Sequence, residues 1–522
     1  MSLRTNWRRK LLVSLNNMRK FNYFTLPRDI NGEIKKLKTK QASYWEKKGN
    51  RTMLKLFKYV SSSVPAYKKL LKRHKINPSL IKTIKDFKTL PRITKDNYLR
   101  KYKYTDLFPK KEFFFATTFS ATSGSTGEPF YFPRGKEHDQ EYEYLTEIFL
   151  KNQFDIDKKS TLAVMGFALG IWIGGIFTYK VLDSISEKGY EFTIMPVGTN
   201  REQFLKAVKK FGHLYDQIIL MGYPPFIKDV FDESKSYGIN WKKYKIKILT
   251  AAEGYSERFR DHIAREAHIN NKLNDIINMY GTVELGTMAH ETALSNLIRS
   301  VAIKNRKVFD ELFMDASNIP TLAQYYPHII YFEEADGQIV ASAYGSSIPL
   351  IRYHFSDLGG VILFDEMKKR LKNSGIDIMK EAKKNKIDKK ILKLPFVWVY
   401  DRSDFAIVFR GANIYPGEVR NGLGNRNISR FVTGRFTMLR KEDRKLSQIL
   451  EINVELKKNV KSAKKIAEKV KDAVINELCV NNSEFNNEYT SHPRRATPKI
   501  ILHKYESPKY FSRQGKQKWV DK

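Results

Sequence analysis

Residues 117–135 read TTFSATSGSTGEPFYFPRG, and the rest of the chain is best understood from this stretch. Small and hydroxyl residues from Ala121 to Gly127 stand between two aromatic-rich runs that have the pattern of strands. Gly124 and Gly127 allow positive φ and a close approach of the backbone, and the serine and threonine hydroxyls lie beside exposed N–H groups. A surface of this kind suits phosphate oxygens.

The glycine stretch does not match the phosphate loop of P-loop nucleotidases. Those proteins carry Lys-Ser or Lys-Thr after the last glycine, whereas Glu128 and Pro129 follow Gly127 here. A Ser/Thr/Gly-rich turn of a hairpin, without a ligand, is the alternative interpretation. The stretch therefore predicts either a phosphate-binding loop of another kind or a structural turn.

Composition and charge describe a large, basic, globular protein. The 522 residues are 42% hydrophobic and 13% aromatic, which suffices for two or more domains and excludes a disordered chain. Lys and Arg number 94 against 56 Asp and Glu, a formal net charge of +38. The excess indicates either anionic partners or a solvated lysine-rich surface, and the even spread of lysines favours the surface. The single cysteine, Cys479, excludes an intrachain disulfide and fits a reducing cytosol.

Two segments bear on a membrane location. Residues 1–50 form a basic extension whose first apolar run, Leu11–Leu15, is too short for a signal peptide. An amphipathic helix that lies on a membrane or packs on the protein is expected there. Residues 161–182, TLAVMGFALGIWIGGIFTYKVL, are long enough to imitate a membrane span. Their four glycines favour a strand, a loop and a buried helix instead.

Strand-like and helix-like runs alternate after the glycine stretch. This alternation predicts βαβ units, an α/β fold and a mainly parallel sheet. Ligands of such sheets lie beyond the carboxyl ends of the strands, which here lead into the loops LMGYPPF and TAAEGYS. The predicted strands are 192–197, 217–221 and 246–250, and the predicted helices are 201–211, 223–237 and 256–269.

Two further motifs carry groups that can hold a nucleotide. In INMYGTVELGTMAHE, residues 277–291, the ring of Tyr280 and the carboxylate of Glu284 flank one tight turn. An adenine can stack on such a ring, while one carboxylate and phosphate oxygens can hold Mg²⁺. GSSIPLIRYHFSDLGG, residues 345–360, reads as a strand ending at Asp357, a carboxylate that can accept both hydroxyls of a ribose. Taken singly, both motifs are more often structural turns.

Together these motifs resemble the adenylate-forming superfamily, which includes acyl-CoA synthetases, peptide-synthetase adenylation domains and luciferases. TSGSTGEP is similar to its phosphate loop, and most similar to that of the phenylacetate-CoA ligase-like branch with its capsule-biosynthesis relatives. By this resemblance Thr126 also takes part in catalysis and in Mg²⁺ binding. The residues that the resemblance assigns to phosphate binding are Thr122, Ser123, Gly124, Ser125, Thr126 and Gly127.

The resemblance also assigns roles to the other motifs. Tyr280 and Gly281 fall on the Tyr-Gly pair whose ring stacks on adenine, and Glu284 falls on the catalytic Mg²⁺ ligand. Glu253 lies in a stretch similar to the adenine loop, and Asp357 falls on the ribose-binding aspartate.

Some positions depart from the family pattern. Val283 stands where the family has a hydroxyl near the phosphate, His354 replaces an arginine, and Phe405 replaces an aspartate of the hinge. These departures leave open a degenerate, non-enzymatic basic binding protein on the same fold.

The sequence also resembles the family at the hinge between its two domains. In VWVYDRSDFAIVFRGANIYPGEVR, residues 397–420, Arg402 falls on an arginine that reaches the ribose and Asp404 on the pivot. Residues 365–393, just before it, look like an insertion of two lysine-rich helices, which are either a solvated decoration or a site for anionic partners. The implied organisation is a basic extension 1–50, a large AMP-binding domain 51–403 with parallel-rich sheets and helices, and a small mobile α+β domain 404–522.

The C-terminal region ends in a basic tail. Before it, the pattern predicts a hairpin around residues 441–443, a helix over 457–478 and a strand in PKIILHKYE. In the tail, Lys516 falls on the catalytic lysine of the family's closing segment, which reaches the acid's carboxylate and the α-phosphate. An ammonium group there lowers the repulsion between two anions. Without the resemblance, a lysine in a basic tail indicates nothing.

The resemblance implies a cytoplasmic two-step ligase. With ATP and Mg²⁺ it converts a small carboxylic acid to acyl-AMP, and the acyl group then passes to a thiol, with CoA as the expected acceptor. A carrier protein, an amine or a polysaccharide in cell-surface polymer synthesis stays open as the acceptor. Phe167, Trp172 and Tyr223 are the candidates for lining the acid pocket. No specific nucleic-acid partner is predicted, membrane contact is at most peripheral, and a homodimer stays open.

Overall fold

The structure of the chain is a computed structural model that describes residues 26–109, 116–122, 129–313, 319–402, 406–511 and 520. Strands and helices alternate through these ranges, so the predicted α/β fold class is confirmed.

The bounds of the regular elements follow the chain from its N-terminal helices to the tail. The strands are β1 Thr118–Ala121, β2 Tyr131–Arg134, β3 Thr161–Met165, β4 Phe192–Met195, β5 Gln217–Gly222, β6 Ile246–Thr250, β7 Ile276–Thr282, β8 Gly286–His290, β9 Thr321–Gln324, β10 Ile330–Ala335, β11 Gln338–Ala343, β12 Leu350–Ile362, β13 Phe396–Arg402, β14 Ile407–Phe409, β15 Ala412–Ile414, β16 Val432–Glu442, β17 Gln448–Leu456 and β18 Lys499–His503. The α-helices are α1 Ile30–Thr39, α2 Ala42–Ser63, α3 Pro65–Arg73, α4 Ile84–Phe87, α5 Lys136–Phe154, α6 Thr178–Ser186, α7 Arg201–Phe211, α8 Pro224–Ser234, α9 Glu257–Glu266, α10 Lys272–Asp275, α11 Ala293–Lys304, α12 Arg306–Leu312, α13 Phe364–Asn373, α14 Ile378–Lys384, α15 Pro416–Leu423, α16 Arg426–Ser429, α17 Lys464–Asn481, α18 Ser483–Ser491, α19 Pro493–Ala496 and α20 Pro508–Phe511.

A mixed sheet forms the centre of the molecule. Its strands follow the order β10-β11-β12-β13-β9-β8-β7-β6-β5-β3-β4. Pairing is parallel from β4 through β3, β5 and β6 to β7, and antiparallel in the other half. The strands predicted at 192–197, 217–221 and 246–250 are confirmed as β4, β5 and β6. Parallel pairing is therefore confined to the half of the sheet in which strands and helices alternate.

The parallel strands are apolar throughout because helices cover both of their faces. On one face, residues such as Leu162 and Ile218 pack with α7, α8 and α9. On the other face, their neighbours Ala163 and Ile219 pack with α5 and α6. Side-chain caps fix where helices begin. At the start of α7, for example, the side chain of Asn200 accepts the N–H of Gln203. The carboxyl ends of these strands consequently open onto short loops.

The long apolar segment 161–182 has the predicted strand, loop and helix. Strand β3 covers its start and α6 begins at Thr178, with most of the strand and helix side chains buried. Among the helices of the described ranges, none is long and apolar enough to cross a membrane.

Strand β12 corrects the prediction that a strand ends at Asp357. The strand runs on to Ile362 through an irregular stretch: φ is 65° at Ser356, and the pairing with β13 shifts between Asp357 and Gly359. The two glycines that suggested a turn serve close packing instead. A Cβ at Gly359 would lie 2.2 Å from the carbonyl oxygen of Trp398, and one at Gly360 would lie 2.7 Å from its indole ring.

Residues 406–511, here called the C-terminal part, have their own sheet and apolar core. Strands β16 and β17 form the predicted hairpin, and β18 joins β17 in parallel. The helix predicted over 457–478 begins only at Lys464. Asn459 adopts a left-handed conformation with φ of 71°, which asparagine tolerates, and the chain turns there before the helix starts.

The lysine-rich stretch 365–393 forms the two predicted short helices, α13 and α14. The residues after them fasten this region to the N-terminal helices. The N–H of Lys393 donates to the carbonyl of Leu37 at 2.9 Å, and Leu392 and Leu394 share an apolar cluster with Trp45. The side-chain amide of Gln324 donates to the carbonyls of Leu392 and Leu394 at 3.1 and 2.8 Å.

A buried ion cluster joins α9 and α11 beside the first residues of β7. Both oxygens of the fully buried Glu291 accept from Arg260, at 2.8 and 2.9 Å, and Oε1 also accepts from Arg299 at 2.6 Å. Glu257 contacts both arginines at 3.2 Å. The backbone N–H of Asn278 completes the set by donating to Glu291 at 2.8 Å.

Replacing Glu291 with glutamine is expected to lower the free energy of unfolding by about 3–5 kcal/mol, because two buried arginines lose their shared charge. Urea unfolding followed by circular dichroism measures the change. The matched control is Asp310→Asn, which removes an exposed ion pair with Arg306 and should cost no more than about 1 kcal/mol. Equal effects of the two substitutions would contradict the assignment.

Candidate active site

A cleft of about 1130 Å³ lies between the carboxyl ends of the parallel strands and the C-terminal part. The loops that follow β5 and β6 supply one wall, as the alternation of strands and helices predicts. Gly411 and Gln448 are among the residues that the C-terminal part contributes to the opposite wall. The volume lies slightly above the usual range of ligand pockets, roughly 300–1,000 Å³.

Tyr280 and Asp357 meet in this cleft although they lie far apart in the chain. Tyr280 is on β7 and the buried Asp357 is on β12, and the phenol donates to Oδ2 of the carboxylate at 2.5 Å. Phe332 lies nearly parallel to the Tyr280 ring at a centroid distance of 6.3 Å. The structure thus brings an aromatic surface and a carboxylate together, as binding of a nucleoside requires.

Glu284 lies on the turn between β7 and β8 and lines the same cleft. Its Oε1 accepts from the hydroxyl of Tyr353 at 3.3 Å. Within the ranges that the structure describes, no cluster of three or more His, Cys, Asp or Glu side chains is suited to a metal ion. A single carboxylate fits Mg²⁺ that takes most of its other ligands from phosphate and water.

Arg134 supports the Glu284 turn from below, a role that the sequence did not indicate. Its fully buried guanidinium donates to the carbonyl of Val283 at 2.5 Å and lies over the ring of Phe177 at 4.9 Å. Burial lowers the pKa of Arg134 to about 10, against the opposing charge of Glu284. The side chain therefore keeps its positive charge at neutral pH.

The departure at Val283 has a structural explanation. The Val283 side chain packs against the apolar core beneath the turn and lines the cleft with its exposed part. The hydroxyl of the neighbouring Thr282 accepts the N–H of Leu285 at 3.4 Å, so it stabilises the turn itself.

The loop after β6 is held in an unusual conformation. Ala252 has φ of 80°, which costs an L-residue roughly 1–2 kcal/mol and is common at functional sites. The carbonyl of Glu253 accepts from the Asn278 amide at 3.1 Å, and the buried Glu253 carboxylate accepts from Gln448 at 2.7 Å. Asn278 was missed from the sequence, although a polar residue in the buried first half of a strand is a usable signal.

Some of the remaining predicted nucleotide-binding residues line the cleft, and others lie outside the described ranges. Thr122 lines the cleft, and its hydroxyl accepts the N–H of Phe130 at 3.0 Å, while Gly281 lines the cleft on β7. The backbone of Arg402 ends β13 opposite Asp357. The predicted residues that lie outside the described ranges are Ser123, Gly124, Ser125, Thr126, Gly127, Asp404 and Lys516.

The three residues predicted to line an acid pocket are not among those that line the cleft. Phe167 is buried in the core beside α6, and Trp172 is half-buried before that helix. The hydroxyl of Tyr223 donates to Glu488 of the C-terminal part. Ile173 and Met279 are among the apolar side chains that line the cleft, as are Pro224 and Pro225 directly after Tyr223.

Comparison with known proteins reveals a shared fold. Neither the protein-family models nor the curated proteins match this chain. Among solved structures, 2-hydroxyisobutyryl-CoA ligase with 2-HIB-AMP and CoA in the thioesterification state is 15% identical, covers 93% of this chain and 91% of its own, and has a TM-score of 0.62. At this identity the likeness shows that this chain shares the fold of that ligase.

The same ligase in other states is less similar to this chain. In its postadenylation state with 2-HIB-AMP it is 15% identical over the same shares of both chains, with a TM-score of 0.52. Its open conformation with 2-HIB-AMP and CoA is 14% identical over 91% of both chains, with a TM-score of 0.51.

Proposed function

We propose that this chain activates a small carboxylic acid with ATP and then transfers the acyl group to the thiol of CoA. The observation that carries the proposal is the meeting of Tyr280, Glu284 and Asp357 in one cleft. A ring, a metal-binding carboxylate and a ribose-binding carboxylate are the groups that a bound nucleotide needs. The fold shared with an adenylate-forming CoA ligase supports the same activity.

In the first step the cleft residues orient ATP against the acid. The Tyr280 ring stacks on adenine and Asp357 accepts the ribose hydroxyls, while Glu284 would hold Mg²⁺, which would supply positive charge at the phosphates. A carboxylate oxygen of the acid attacks the α-phosphorus, and the bond from that phosphorus to pyrophosphate breaks. Lys516 brings an ammonium between the two anions. Catalysis is therefore mainly positioning and charge stabilisation.

In the second step the thiol consumes the acyl-AMP. The sulfur attacks the acyl carbon, the carbon–oxygen bond to AMP breaks, and AMP leaves with the electron pair while the thiol proton passes to solvent. Gly411 of the C-terminal part, with φ of 85°, lines the cleft. We infer a large domain 51–403 and a small domain 404–522, with Asp404 as the pivot between the orientations for the two steps.

We infer that the substrate acid has an apolar acyl group. Ile173 and Met279 line the cleft and give the acyl group an apolar contact. An aryl or medium-chain acid fits them, in keeping with the resemblance of TSGSTGEP to the phenylacetate-CoA ligase-like branch. We infer a cytoplasmic enzyme, because CoA and ATP are available there.

The test is exchange of labelled pyrophosphate into ATP with purified protein. We expect exchange that depends on the acid and on Mg²⁺, with phenylacetate, benzoate, 2-hydroxyisobutyrate and straight-chain fatty acids as probes. Reactions without acid are the control. Absence of exchange with every acid would contradict the proposed function.

A second assay identifies the acceptor. The active acid is supplied with ATP and with CoA, a phosphopantetheinylated carrier protein, simple amines or an acidic polysaccharide. Thioester formation with CoA is expected. Transfer only to another acceptor would instead favour the cell-surface polymer role of the capsule-type relatives.

A further inference from the structure

A buried ionic cluster joins the C-terminal part to the large domain beside the cleft. Its centre is Arg410, whose guanidinium donates to Asp229 on α8 and to Glu488 on α18, each at 2.6 Å. The side chains of Arg410, Asp229 and Glu488 are only 1%, 2% and 5% exposed. One arginine therefore bridges carboxylates that belong to different parts of the molecule.

Two further arginines and one further carboxylate belong to the cluster. Arg495 of the C-terminal part pairs with Asp229 and lies 3.1 Å from Glu233 on α8. Arg201 at the start of α7 lies 3.0 Å from Glu233 and 3.5 Å from Asp229. With Arg410 and Glu488 the set holds three arginines and three carboxylates, so its formal charge is balanced.

The carboxylate of Glu488 is fixed by two further side chains. It accepts from the hydroxyl of Tyr223 and lies 3.2 Å from Nδ1 of His492. Although burial alone raises the pKa of Glu488, the His492 hydrogen bond and the Arg410 charge lower it overall. Glu488 is therefore ionised at neutral pH and pairs with Arg410 as a charge.

Arg410 also shapes the turn that faces the cleft. It directly precedes Gly411 in the turn between β14 and β15, with φ of 52° and 85° at the two residues. The Arg410 N–H donates to the Gln448 side chain at 2.9 Å, and the amide of Gln448 donates to Glu253 of the large domain. A displaced Arg410 would therefore move the cleft wall at Gly411.

The whole-chain similarity to the ligase in two states favours the orientation of the second reaction step. The TM-score is 0.62 against the ligase in the thioesterification state and 0.52 against the same ligase in the postadenylation state. Buried arginine–carboxylate pairs add little net stability but specify geometry strongly, because a displaced charge is left without its partner.

We propose that Arg410, bridging Asp229 and Glu488, is a positioning residue that holds the C-terminal part in the orientation for acyl transfer. Arg495 supports the same orientation through Asp229. The proposal rests on the two-step function above and assigns these residues to its second step alone. Adenylation takes place in the other orientation, in which the contacts of Arg410 and Arg495 with Asp229 are absent.

The test separates the two steps in Arg410→Met and Arg495→Met. Single-turnover conversion of acyl-AMP to acyl-CoA at saturating CoA should slow by about 10- to 100-fold, whereas pyrophosphate exchange stays within about twofold of wild type. Arg410→Lys should recover part of the rate, because one ammonium pairs well with only one carboxylate. Small-angle X-ray scattering should show a larger radius of gyration for Arg410→Met than for wild type.

The control is Arg494→Met, which removes an exposed arginine beside Arg495 and should change neither step. Unchanged acyl transfer in both interface variants, or equal loss of both steps, would overturn the proposal. If Arg410→Met does not fold, the Arg495→Met variant tests the proposal. Arg495 is half-buried, and its loss leaves the buried Arg410–Glu488 pair intact. Absence of exchange in the wild type would refute the proposed function instead, and the scattering comparison would still decide whether Arg410 sets the orientation.

Discussion

Replacing Lys516 with alanine is expected to slow acyl-AMP formation by about 100- to 1,000-fold and to leave the affinity for ATP nearly unchanged. The reacting carboxylate and the α-phosphate repel each other, and the ammonium offsets this repulsion mainly in the transition state. An interaction made only there changes the rate constant and not the binding of ATP. Pyrophosphate exchange measures the first quantity and isothermal titration calorimetry the second.

The neighbouring Lys518 provides a matched control, because its replacement by alanine removes the same charge from the same tail. We expect that variant to keep nearly full exchange. Undiminished exchange in Lys516→Ala, or an equal loss in Lys518→Ala, would remove the assignment of Lys516. Acyl transfer from preformed acyl-AMP should persist in Lys516→Ala, because the ammonium serves the first step.

Replacing Asp357 with asparagine is expected to weaken binding of both ATP and AMP by about 30- to 150-fold, or about 2–3 kcal/mol. The carboxylate can accept from both ribose hydroxyls, whereas an amide offers one accepting oxygen and no charge. ATP and AMP share the ribose, so both lose affinity by the same factor. Calorimetric titration with each nucleotide measures the change.

The comparison for this variant is Asp336→Asn, which changes an exposed aspartate in the turn between β10 and β11 that pairs with Arg92. Its nucleotide affinity should equal that of wild type. Tyr280→Phe separates the two contributions further, since it keeps the ring but removes the hydroxyl that donates to Asp357. Wild-type affinity in Asp357→Asn would contradict the ribose assignment.

The parallel half of the sheet was predictable because its signals are local. Strands such as β5 and β6 are continuous apolar runs bounded by loops, and the helices between them have a regular apolar period. The end of β12 was not predictable in this way. Gly359 and Gly360 look like a turn in the sequence, but their lack of a Cβ makes room for Trp398 on the adjacent strand.

The candidate site was predictable only where its residues sit in motifs. Tyr280, Glu284 and Asp357 each stand in a recognisable stretch, and the structure brings all three to one cleft. Arg134 and Asn278 were missed, because their roles depend on contacts with Val283 and Glu253 that are distant in sequence.

Tyr223 illustrates the same limit. It stays a candidate for contact with the acid, and its sequence context gives no sign that its hydroxyl donates to Glu488, far along the chain. Arg410 likewise lies in a hinge-like motif whose sequence gives no sign of Asp229 as a partner. Contacts between separate parts of a fold leave no periodic pattern to read.

The contact between the N-terminal helices and the stretch after α14 has a consequence for chimaeric proteins. Leu37 and Trp45 on one side and Leu392 to Leu394 on the other complete each other's packing and backbone hydrogen bonds. Homologous recombination that exchanges one of these segments for a foreign sequence would leave the other with an unmatched surface. The two segments are best inherited from the same parent.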